Sequence, residues 1–269
     1  MMSKTKPLIC YLYTNFDKTS SFSNFLKNYK KFKAGYNHDL LFCFKLMNKK
    51  KIDFFEKKIL KLKHLTFNDP GSSNDWDFGS YYRVSKKFPN RDIFFMNSHS
   101  YPVTQNWLKK IMFHYKKKTI IASSGSFESI ASQVTLKKPY SFFSFFKKKI
   151  KSKRSFEIFP NPHLNTSSFM INARDFIKYI NKKSLNSKYE TWKIESGFNS
   201  LTNFFKRKNF KLLVVNSDGK KFIEKNWMLS ETYHYNTQSK CLISDKHSRK
   251  YDKMNNLERI KSQKIVWGI

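Results

Sequence analysis

The sequence predicts an α/β fold, with a mostly parallel central sheet flanked by helices in a single domain. Short apolar runs alternate with segments in which apolar residues recur at the spacing of an amphipathic helix. Most of the apolar runs end in polar residues or turn formers, as the strands of an open α/β sheet do. With 269 residues, among them 28 phenylalanines and 14 tyrosines, the chain can bury a large core.

Five short apolar runs in the first half are the predicted strands. They are Leu8–Tyr13, Leu40–Leu46, Leu65–Phe67, Ile93–Met96 and Thr119–Ala122. The second run is almost entirely apolar, which indicates a strand covered on both faces. Residues at helical spacing predict four helices between the strands, around Phe22 to Tyr29, Ile52 to Leu62, Phe78 to Ser85 and Trp107 to Met112. We expect Ser20 or Ser21 to cap the first helix.

The regular alternation stops near residue 135. The second half is predicted to contain two strands and three helices, which are Ser168–Ile171, Arg174–Ile180, a helix with Phe198, Leu201 and Phe205 inward, Phe210–Val215 and Asn255–Val266. The residues Asn216–Gly219 read as a turn. We therefore divide the domain into residues 1–135 and residues 136–269.

The net charge of the chain is extreme, +34 from 53 basic and 19 acidic residues. Such a balance suggests nucleic acid as a partner. However, the lysines are spread along the whole chain, and a high content of Lys, Asn, Phe and Ile is also what an AT-rich coding sequence produces. We therefore favour a phosphate-rich small substrate or an anionic membrane surface over nucleic acid.

The number of cysteines and the length of the apolar runs indicate the cellular compartment. Cys10, Cys43 and Cys241 are too few and too scattered for a disulfide framework or a zinc site. Cys10 and Cys43 lie in apolar runs and are expected to be buried and reduced, which implies a reducing compartment. No signal peptide and no membrane-spanning run of ~18 apolar residues is evident. A cytoplasmic location is expected, either free or peripheral on the inner face of the membrane.

The segment Tyr140–Arg154 combines several phenylalanines with a run of basic residues. Aromatic rings beside lysines suit the surface of an anionic bilayer, where the rings reach headgroup depth and the cations meet lipid phosphate. The stretch Phe142–Lys151 therefore predicts a membrane contact. The alternative is an amphipathic helix that packs its phenylalanines on the core and leaves its charges in water.

Polar residues follow several of the predicted strands. They include Thr14 and Asn15, the loop Asn74–Asp77, the tip Asn97–Ser100 and Ser124–Ser126. In a parallel sheet these positions share one edge, where ligands bind. Carboxylates and amides there suit the hydroxyls of a ribose or a sugar, and Arg83 suits a diphosphate.

At this point the sequence resembles the nucleotide-sugar-dependent glycosyltransferases of GT-A type, over most of residues 8–269. The resemblance rests on the order of elements and on four motifs: Asp75-x-Asp77-x-Gly79-x-Tyr81, Phe94-Phe95-Met96-Asn97-Ser98-His99, Glu195-Ser196-Gly197-x-x-Ser200-Leu201-Thr202, and Asp218-Gly219 with a closing Trp267-Gly268. The second motif stands where the family has its Asp-x-Asp, and it looks like a bacterial branch that lacks both aspartates.

The resemblance implies roles for individual residues. The nucleotide-sugar donor would contact Thr14, Asn15, Asp75, Asp77, Gly79, Arg83, Asn97 and Ser98. Glu195, expected just ahead of a helix, would be the base that takes a proton from the acceptor hydroxyl, and His99 would act beside the donor diphosphate. His163 would face the acceptor. For each of these residues a plainer role stays open, such as a helix cap for Asp75 and Asp77, a turn for Thr14, or a backbone contact for His99.

The metal requirement also stays open. Asp-x-Asp binds a divalent ion that neutralises the leaving diphosphate, whereas Asn97 is a poor ligand for Mg²⁺ or Mn²⁺ and His99 could ligate Mn²⁺ only with help. Either the metal is lost and basic side chains take over its role, or the site is weak or inactive. The leading hypothesis is a hexosyltransferase-like glycosyltransferase for surface polysaccharide, acting on a glycan or lipid-linked acceptor. The alternatives are a non-catalytic glycan- or partner-binding domain and, less favoured, a nucleic-acid-binding protein.

Overall fold

The structure is a computed structural model that describes residues 6–133 and 142–269, with side chains from Phe145 onward in the second range. Its centre is an eight-stranded sheet in the order β11-β10-β6-β9-β4-β1-β2-β3. The strands are β1 Leu8–Thr14, β2 Asp39–Lys45, β3 Leu65–Asp69, β4 Asp92–Met96, β6 Thr119–Ala122, β9 Ser168–Asn172, β10 Lys211–Val215 and β11 Lys221–Phe222. The predicted fold class, α/β with a mostly parallel central sheet flanked by helices, is confirmed.

Strand direction determines which residues meet at the edge of the sheet. Strands β1, β2, β3 and β4 are parallel to one another, and β6 is parallel to β10. Strand β9 lies between β4 and β6 and is antiparallel to both. The start of β9 therefore lies at the edge where the parallel strands end. The sequence did not predict this reversal, which delivers residues 163–167 to the carboxyl edge.

Helices cover both faces of the sheet. They are α1 Thr19–Lys31, α2 Lys49–Ile59, α3 Trp76–Lys87, α4 Trp107–His114, α5 Ile130–Gln133, α6 Phe142–Lys153, α7 Ala173–Ile180, α8 Lys188–Ser196, α9 Leu201–Lys206, α10 Lys246–Asp252 and α11 Asn256–Trp267. Two further strand pairs lie outside the central sheet: β5 Tyr101–Pro102 with β12 Ile243–Ser244, and β7 Gly125–Ser126 with β8 His163–Leu164.

Alternation along β1 shows how the core is divided. Leu8, Cys10 and Leu12 point to the face covered by α3, α7 and α9, whereas Tyr11 and Tyr13 point to the face covered by α1, α2 and α4. The second face is largely aromatic. The ring of Tyr11 stacks on that of Phe25 at 3.7 Å between centroids, a contact that adds ~1 kcal/mol to the area the rings bury. Free, buried Cys10 and Cys43 agree with the predicted reduced thiols.

Three local predictions are wrong. Helix α1 begins at Thr19 with Lys18 as its N-cap and no capping side chain, so neither Ser20 nor Ser21 caps it. Glu195 does not precede a helix but lies in the last turn of α8. Phe198 is half-exposed in the connection between α8 and α9 rather than inward on a helix. In all three cases the apolar spacing placed the helix boundary a few residues away from its actual position.

Two sequence predictions depend on the region between the described ranges. The division at residues 135 and 136 lies outside the described residues, as do the side chains of Phe142 and Phe143. Within the described ranges, no helix combines the length and the apolar character that a bilayer span requires.

Candidate active site

A cleft of about 870 Å³ lies at the carboxyl edge of the sheet. It is formed by the start of α3, the tip of β4, the segment that leads into β9, and helices α8, α10 and α11. Four of the residues predicted from the sequence line it together, namely Asp77, Asn97, His163 and Glu195. Asp77 and Asn97 follow parallel strands that end side by side, whereas His163 comes from the segment before the antiparallel strand β9 and Glu195 from helix α8.

Asp77 is the carboxyl group in the cleft whose protonation is most strongly perturbed. Its pKa is raised from 3.8 to about 6, chiefly by burial, with the charges of Asp17 and Glu195 adding to the rise. Lys45 and a hydrogen bond from the Asn97 amide oppose it. A carboxyl group with a pKa close to neutrality inside a cleft is typical of functional sites.

Glu195 lies across the cleft, in the last turn of α8. Its Oε1 accepts hydrogen bonds from the backbone N–H of Thr166 at 3.1 Å and from the hydroxyl of Thr166 at 2.7 Å. Thr166 is positioned by the reversed strand β9, which starts two residues later. The bonds to Oε1 fix the carboxylate, and Oε2 makes no hydrogen bond to any residue of the described ranges. One oxygen is therefore held while the other can take a proton from a substrate.

The tip of β4 is a compact turn. The side-chain oxygen of Asn97 accepts from the N–H of His99 at 3.2 Å and from the hydroxyl of Ser100 at 2.8 Å. The backbone oxygen of buried Ser98 accepts from the hydroxyl of Tyr11 at 2.9 Å. These bonds orient the amide of Asn97 toward Asp77 and leave the imidazole of His99 at the rim.

His99 lies between charges of both signs. Its Nε2 is 3.6 Å from Oδ1 of Asp17. Burial lowers the pKa of His99, Asp17 opposes that shift, and Lys246 and Arg249 reinforce it. Asp17 is itself fixed, since its Oδ2 accepts from the N–H of Thr14 at 2.9 Å and from the Thr14 hydroxyl at 2.7 Å. The imidazole of His99 is therefore favoured in its neutral form.

Two more of the predicted residues, Asp75 and Arg83, have their side chains engaged with protein groups. Arg83 pairs with both Asp69 and Asp75, and Lys45 also pairs with Asp75. A Cβ added at Gly79 would lie 2.2 Å from Cγ of Asp75, so only glycine lets α3 approach the buried carboxylate. These contacts fix the start of α3 and thereby position Asp77.

Thr14 and Asn15 sit at the end of β1. The Thr14 hydroxyl is used to hold Asp17, and the side-chain oxygen of Asn15 accepts from the ammonium of Lys51. Phe16 follows Asn15 in the chain, and its ring is 72% exposed. An exposed ring at the tip of the first strand offers a flat apolar surface beside a polar turn.

None of the site residues predicted from the sequence lies beyond Glu195, yet residues 243–249 complete the site. Strand β12 pairs with β5 directly after the β4 tip, and this pairing carries Asp245, Lys246 and Arg249 to the tip. The guanidinium of Arg249 donates to the backbone oxygen of His99 at 2.9 Å and lies 4.7 Å from the centre of the Tyr101 ring. Asp245 accepts from the hydroxyl of Ser167 at 2.7 Å. No local motif marked these residues, because the two-residue strand that delivers them is too short to show periodicity.

The side chains at the tip do not fit a divalent metal centre. In the part of the chain that the structure describes, no three His, Cys, Asp or Glu side chains are grouped so that they could hold a metal ion. Asn97 offers a neutral amide oxygen, and its Oδ1 is engaged by the turn.

Two other hollows, of about 810 and 860 Å³, lie at the amino edge of the sheet. Lysines and phenylalanines line both, and each contains a single carboxylate. Neither gathers the polar residues that the sequence singled out, so the cleft at the carboxyl edge is the candidate site.

No protein-family model and no curated protein matches the chain. Solved structures of similar fold include the mannosyltransferase PcManGT from Pyrobaculum calidifontis in complex with GDP-Man and Mn²⁺, with a TM-score of 0.41, 7% identity and 72% of this chain covered. They also include GlyE, a glycosyltransferase from Streptococcus pneumoniae, with a TM-score of 0.42, 7% identity and 78% coverage. GalNAc-T7 with UDP, GalNAc and Mn²⁺ is a third, with a TM-score of 0.44, 9% identity and 73% coverage.

Each of these likenesses is one of fold alone. The match spans 52%, 45% and 42% of those three chains, so this chain corresponds to about half of each. With identities below 10% and TM-scores below 0.5 they carry no information about its activity, which has to be inferred from its own residues.

Proposed function

We propose that this protein transfers a sugar from a nucleotide-sugar donor to a glycan or lipid-linked acceptor, in the synthesis of a surface polysaccharide. The observation that carries the proposal is the pair of carboxylates, Asp77 and Glu195, which share one cleft with the amide of Asn97 at the carboxyl edge of the sheet. Such an edge is where α/β folds bind nucleotides, and glycosyl transfer to a hydroxyl needs a carboxylate base.

Glu195 supplies the base. An acceptor hydroxyl within reach of its Oε2 gives up a proton to the carboxylate while its oxygen bonds to the anomeric carbon of the donor sugar. The bond from that carbon to the diphosphate breaks, and the nucleoside diphosphate leaves with the electron pair. Because Thr166 holds Oε1, the base is oriented before the acceptor arrives, which lowers the entropy cost of reaching the transition state.

The donor lies along the rim between β1 and β4. Its base packs on the exposed ring of Phe16, and its sugar hydroxyls bond to Asp77 and to the amide of Asn97. The charge on the leaving diphosphate is met by Lys246 and Arg249, the two cations that act on His99 from α10. Fixed positive groups aimed at a developing negative charge do part of what a metal ion does in other members of this class.

A donor screen tests the proposal directly. We expect one of the UDP-, GDP- or dTDP-sugars to raise the melting temperature and to release its nucleoside diphosphate when acceptor is supplied. Glu195→Gln should keep donor binding and lower kcat by about 10²–10⁴, the usual contribution of a general base. Glu190→Gln is the matched control, because it lies on the same helix and its carboxylate pairs with Lys193 instead.

The absence of any effect from all donors, with and without Mn²⁺, would contradict the proposal. A second reading is a non-catalytic domain that binds a glycan or a protein partner. It is favoured by one observation, the missing metal donor set at Asn97 and His99. Donor binding without turnover, unchanged by Glu195→Gln, would support this second reading.

A peripheral membrane contact is part of the proposal. Helix α6 packs beside α8 through the contact of Lys151 with Tyr189, where the Tyr189 hydroxyl donates to the Lys151 backbone at 3.0 Å. Phe146 and Ile150, one helical turn apart, are 48% and 47% exposed among the lysines of this helix. This arrangement suits an anionic bilayer that presents a lipid-linked acceptor near α8.

Co-sedimentation with vesicles of anionic and of neutral lipid tests the contact. The protein should bind the anionic vesicles, and Phe146→Ser combined with Ile150→Ser should weaken binding. Ile223→Ser, which removes an exposed apolar side chain at the opposite edge of the sheet, is the control. Equal binding of the parent, the double variant and the Ile223→Ser control would exclude α6 as the contact. Binding to duplex DNA that depends steeply on salt would favour a nucleic-acid partner instead.

A further inference from the structure

We propose that Trp76 and Trp192 form a binding wall for the acceptor, which is a saccharide whose pyranose ring stacks on the indole faces. The inference rests on the proposed function and names the acceptor class of that same site. Both tryptophans line the cleft. They are 41% and 38% exposed, whereas Trp107, Trp227 and Trp267 are at most 7% exposed. The two indole rings that are in contact with water therefore both border the proposed active site.

Helix α8 connects this wall to the base. Lys188, Trp192 and Glu195 are four and then three positions apart, so they lie on one face of the helix, and all three line the cleft. Trp192 is therefore less than one turn, ~5 Å along the axis, from Glu195. A ring stacked on Trp192 brings its hydroxyls close to the carboxylate that is to deprotonate one of them.

Trp76 approaches from the other side of the cleft. The ammonium of Lys188 is 5.4 Å from the centre of the Trp76 ring and 5.3 Å from the centre of the Trp192 ring. One cation therefore lies against both indoles, and the two rings border a common slot. The C–H face of a pyranose carries a partial positive charge and packs on an indole in the same manner as a cation.

The backbone of Trp76 shows that its position is imposed by its surroundings. Its φ is 45° with ψ −147°, a conformation that is rare for a bulky residue. The backbone oxygen of Trp76 accepts from the ammonium of Lys45 at 2.5 Å, and the buried pairing of Asp75 anchors the preceding residue. Strain of this kind persists where the surrounding contacts force it, and it is concentrated at ligand sites. Asp77, the next residue, faces the same cleft.

The test uses ¹⁹F NMR of the full chain labelled with 5-fluorotryptophan. Its five tryptophans give five signals, and Trp76→Phe and Trp192→Phe assign two of them. The probes are methyl glycosides of glucose, galactose, mannose and N-acetylglucosamine, with glycerol as a hydroxyl-bearing compound that has no ring. We expect at least one glycoside to shift the Trp76 and Trp192 signals saturably, while the three buried tryptophans stay unchanged and glycerol has no effect.

A second measurement separates this inference from the proposed function. Trp192→Ala should raise the Kd of that glycoside about tenfold, and Trp192→Phe should retain most of the affinity because a stacking face remains. UDP, GDP and dTDP binding, followed by melting temperature, should be the same in both variants. Nucleotide binding with no glycoside effect on either tryptophan signal would refute the Trp76–Trp192 acceptor wall without contradicting glycosyl transfer. A Trp76 signal moved by nucleotide alone would likewise overturn it, because Trp76 would then stack on the donor base. Glycoside binding with no nucleotide binding would support the wall and contradict the proposed function.

Discussion

Replacing Asp77 by Asn should make the protein more stable at neutral pH. The pKa of this carboxyl group is raised from 3.8 to about 6, mainly by burial. Above pH ~6 the group is ionised in both the folded and the unfolded state, and folding then bears the full cost of burying the charge. The difference between the two pKa values corresponds to about 3 kcal/mol. Below pH 3.8 the group is protonated in both states and the cost disappears.

Urea unfolding of the Asp77→Asn variant as a function of pH tests this reasoning. The free energy of unfolding should exceed that of the parent by about 3 kcal/mol at pH ~7.5, by about half as much at pH ~5, and by nothing at pH ~3.5. Asp218→Asn is the control, since Asp218 is 40% exposed on a turn, where it pairs with Lys240, and it should stay within about 0.5 kcal/mol of the parent. A gain that does not vary with pH, or a loss at pH ~7.5, would refute the burial argument. If the Asp77→Asn variant is more stable but no longer transfers sugar, then the buried charge of Asp77 lowers stability because the activity requires it.

Three further predictions concern residues that support the site or the core, and urea unfolding at neutral pH measures the free energy of unfolding for each. Arg83→Met should lower it by about 3 kcal/mol, because two buried carboxylates lose a partner. Arg91→Gln, which removes a partly exposed ion pair, should lower it by less than about 1 kcal/mol; equal losses would show that burial does not set the strength of these pairs. Gly79→Ala should cost about 1–3 kcal/mol, because the new methyl group would meet the paired carboxylate of the preceding turn at 2.2 Å; a neutral change would mean that α3 can shift. Phe22→Ala should cost about 3–5 kcal/mol, since its fully buried ring packs among other rings; a cost below about 1 kcal/mol would indicate that the core closes over the gap.

The strands of the sheet were predictable because their signal is local. Five apolar runs gave the five strands that the first half contributes to the central sheet within one or two residues, and polar residues at their ends indicated the edge that carries the cleft. The same rule placed Asp77 and Asn97 at one edge, and the structure brings them into one cleft. Such predictions need only the period of the side chains and the geometry of parallel strands.

The remaining features depend on contacts between distant parts of the chain, which periodicity does not report. The reversal of β9 brings Thr166 to the carboxyl edge, where it holds Glu195. The pairing of β12 with β5 brings Arg249 to the β4 tip. Likewise, two neighbouring aspartates lie in different environments, since Asp75 is buried against Lys45 whereas Asp77 faces the cleft. Spacing alone cannot distinguish two carboxylates that are two residues apart.

The chain is strongly basic whereas the lining of the cleft is not, and this difference limits the kinds of ligand that the cleft suits. The chain has 53 basic and 19 acidic residues, yet the cleft is lined by five carboxylates and three lysines. A surface built to hold a polyanion along its length would place its carboxylates elsewhere, because each would repel phosphate at close range. Cations lie near the cleft on α10, beside the β4 tip, and as single lysines elsewhere, among them buried Lys45 close to Asp77. That pattern suits a ligand with one compact anionic group and many hydroxyls, which is the chemistry of a nucleotide-sugar meeting a saccharide.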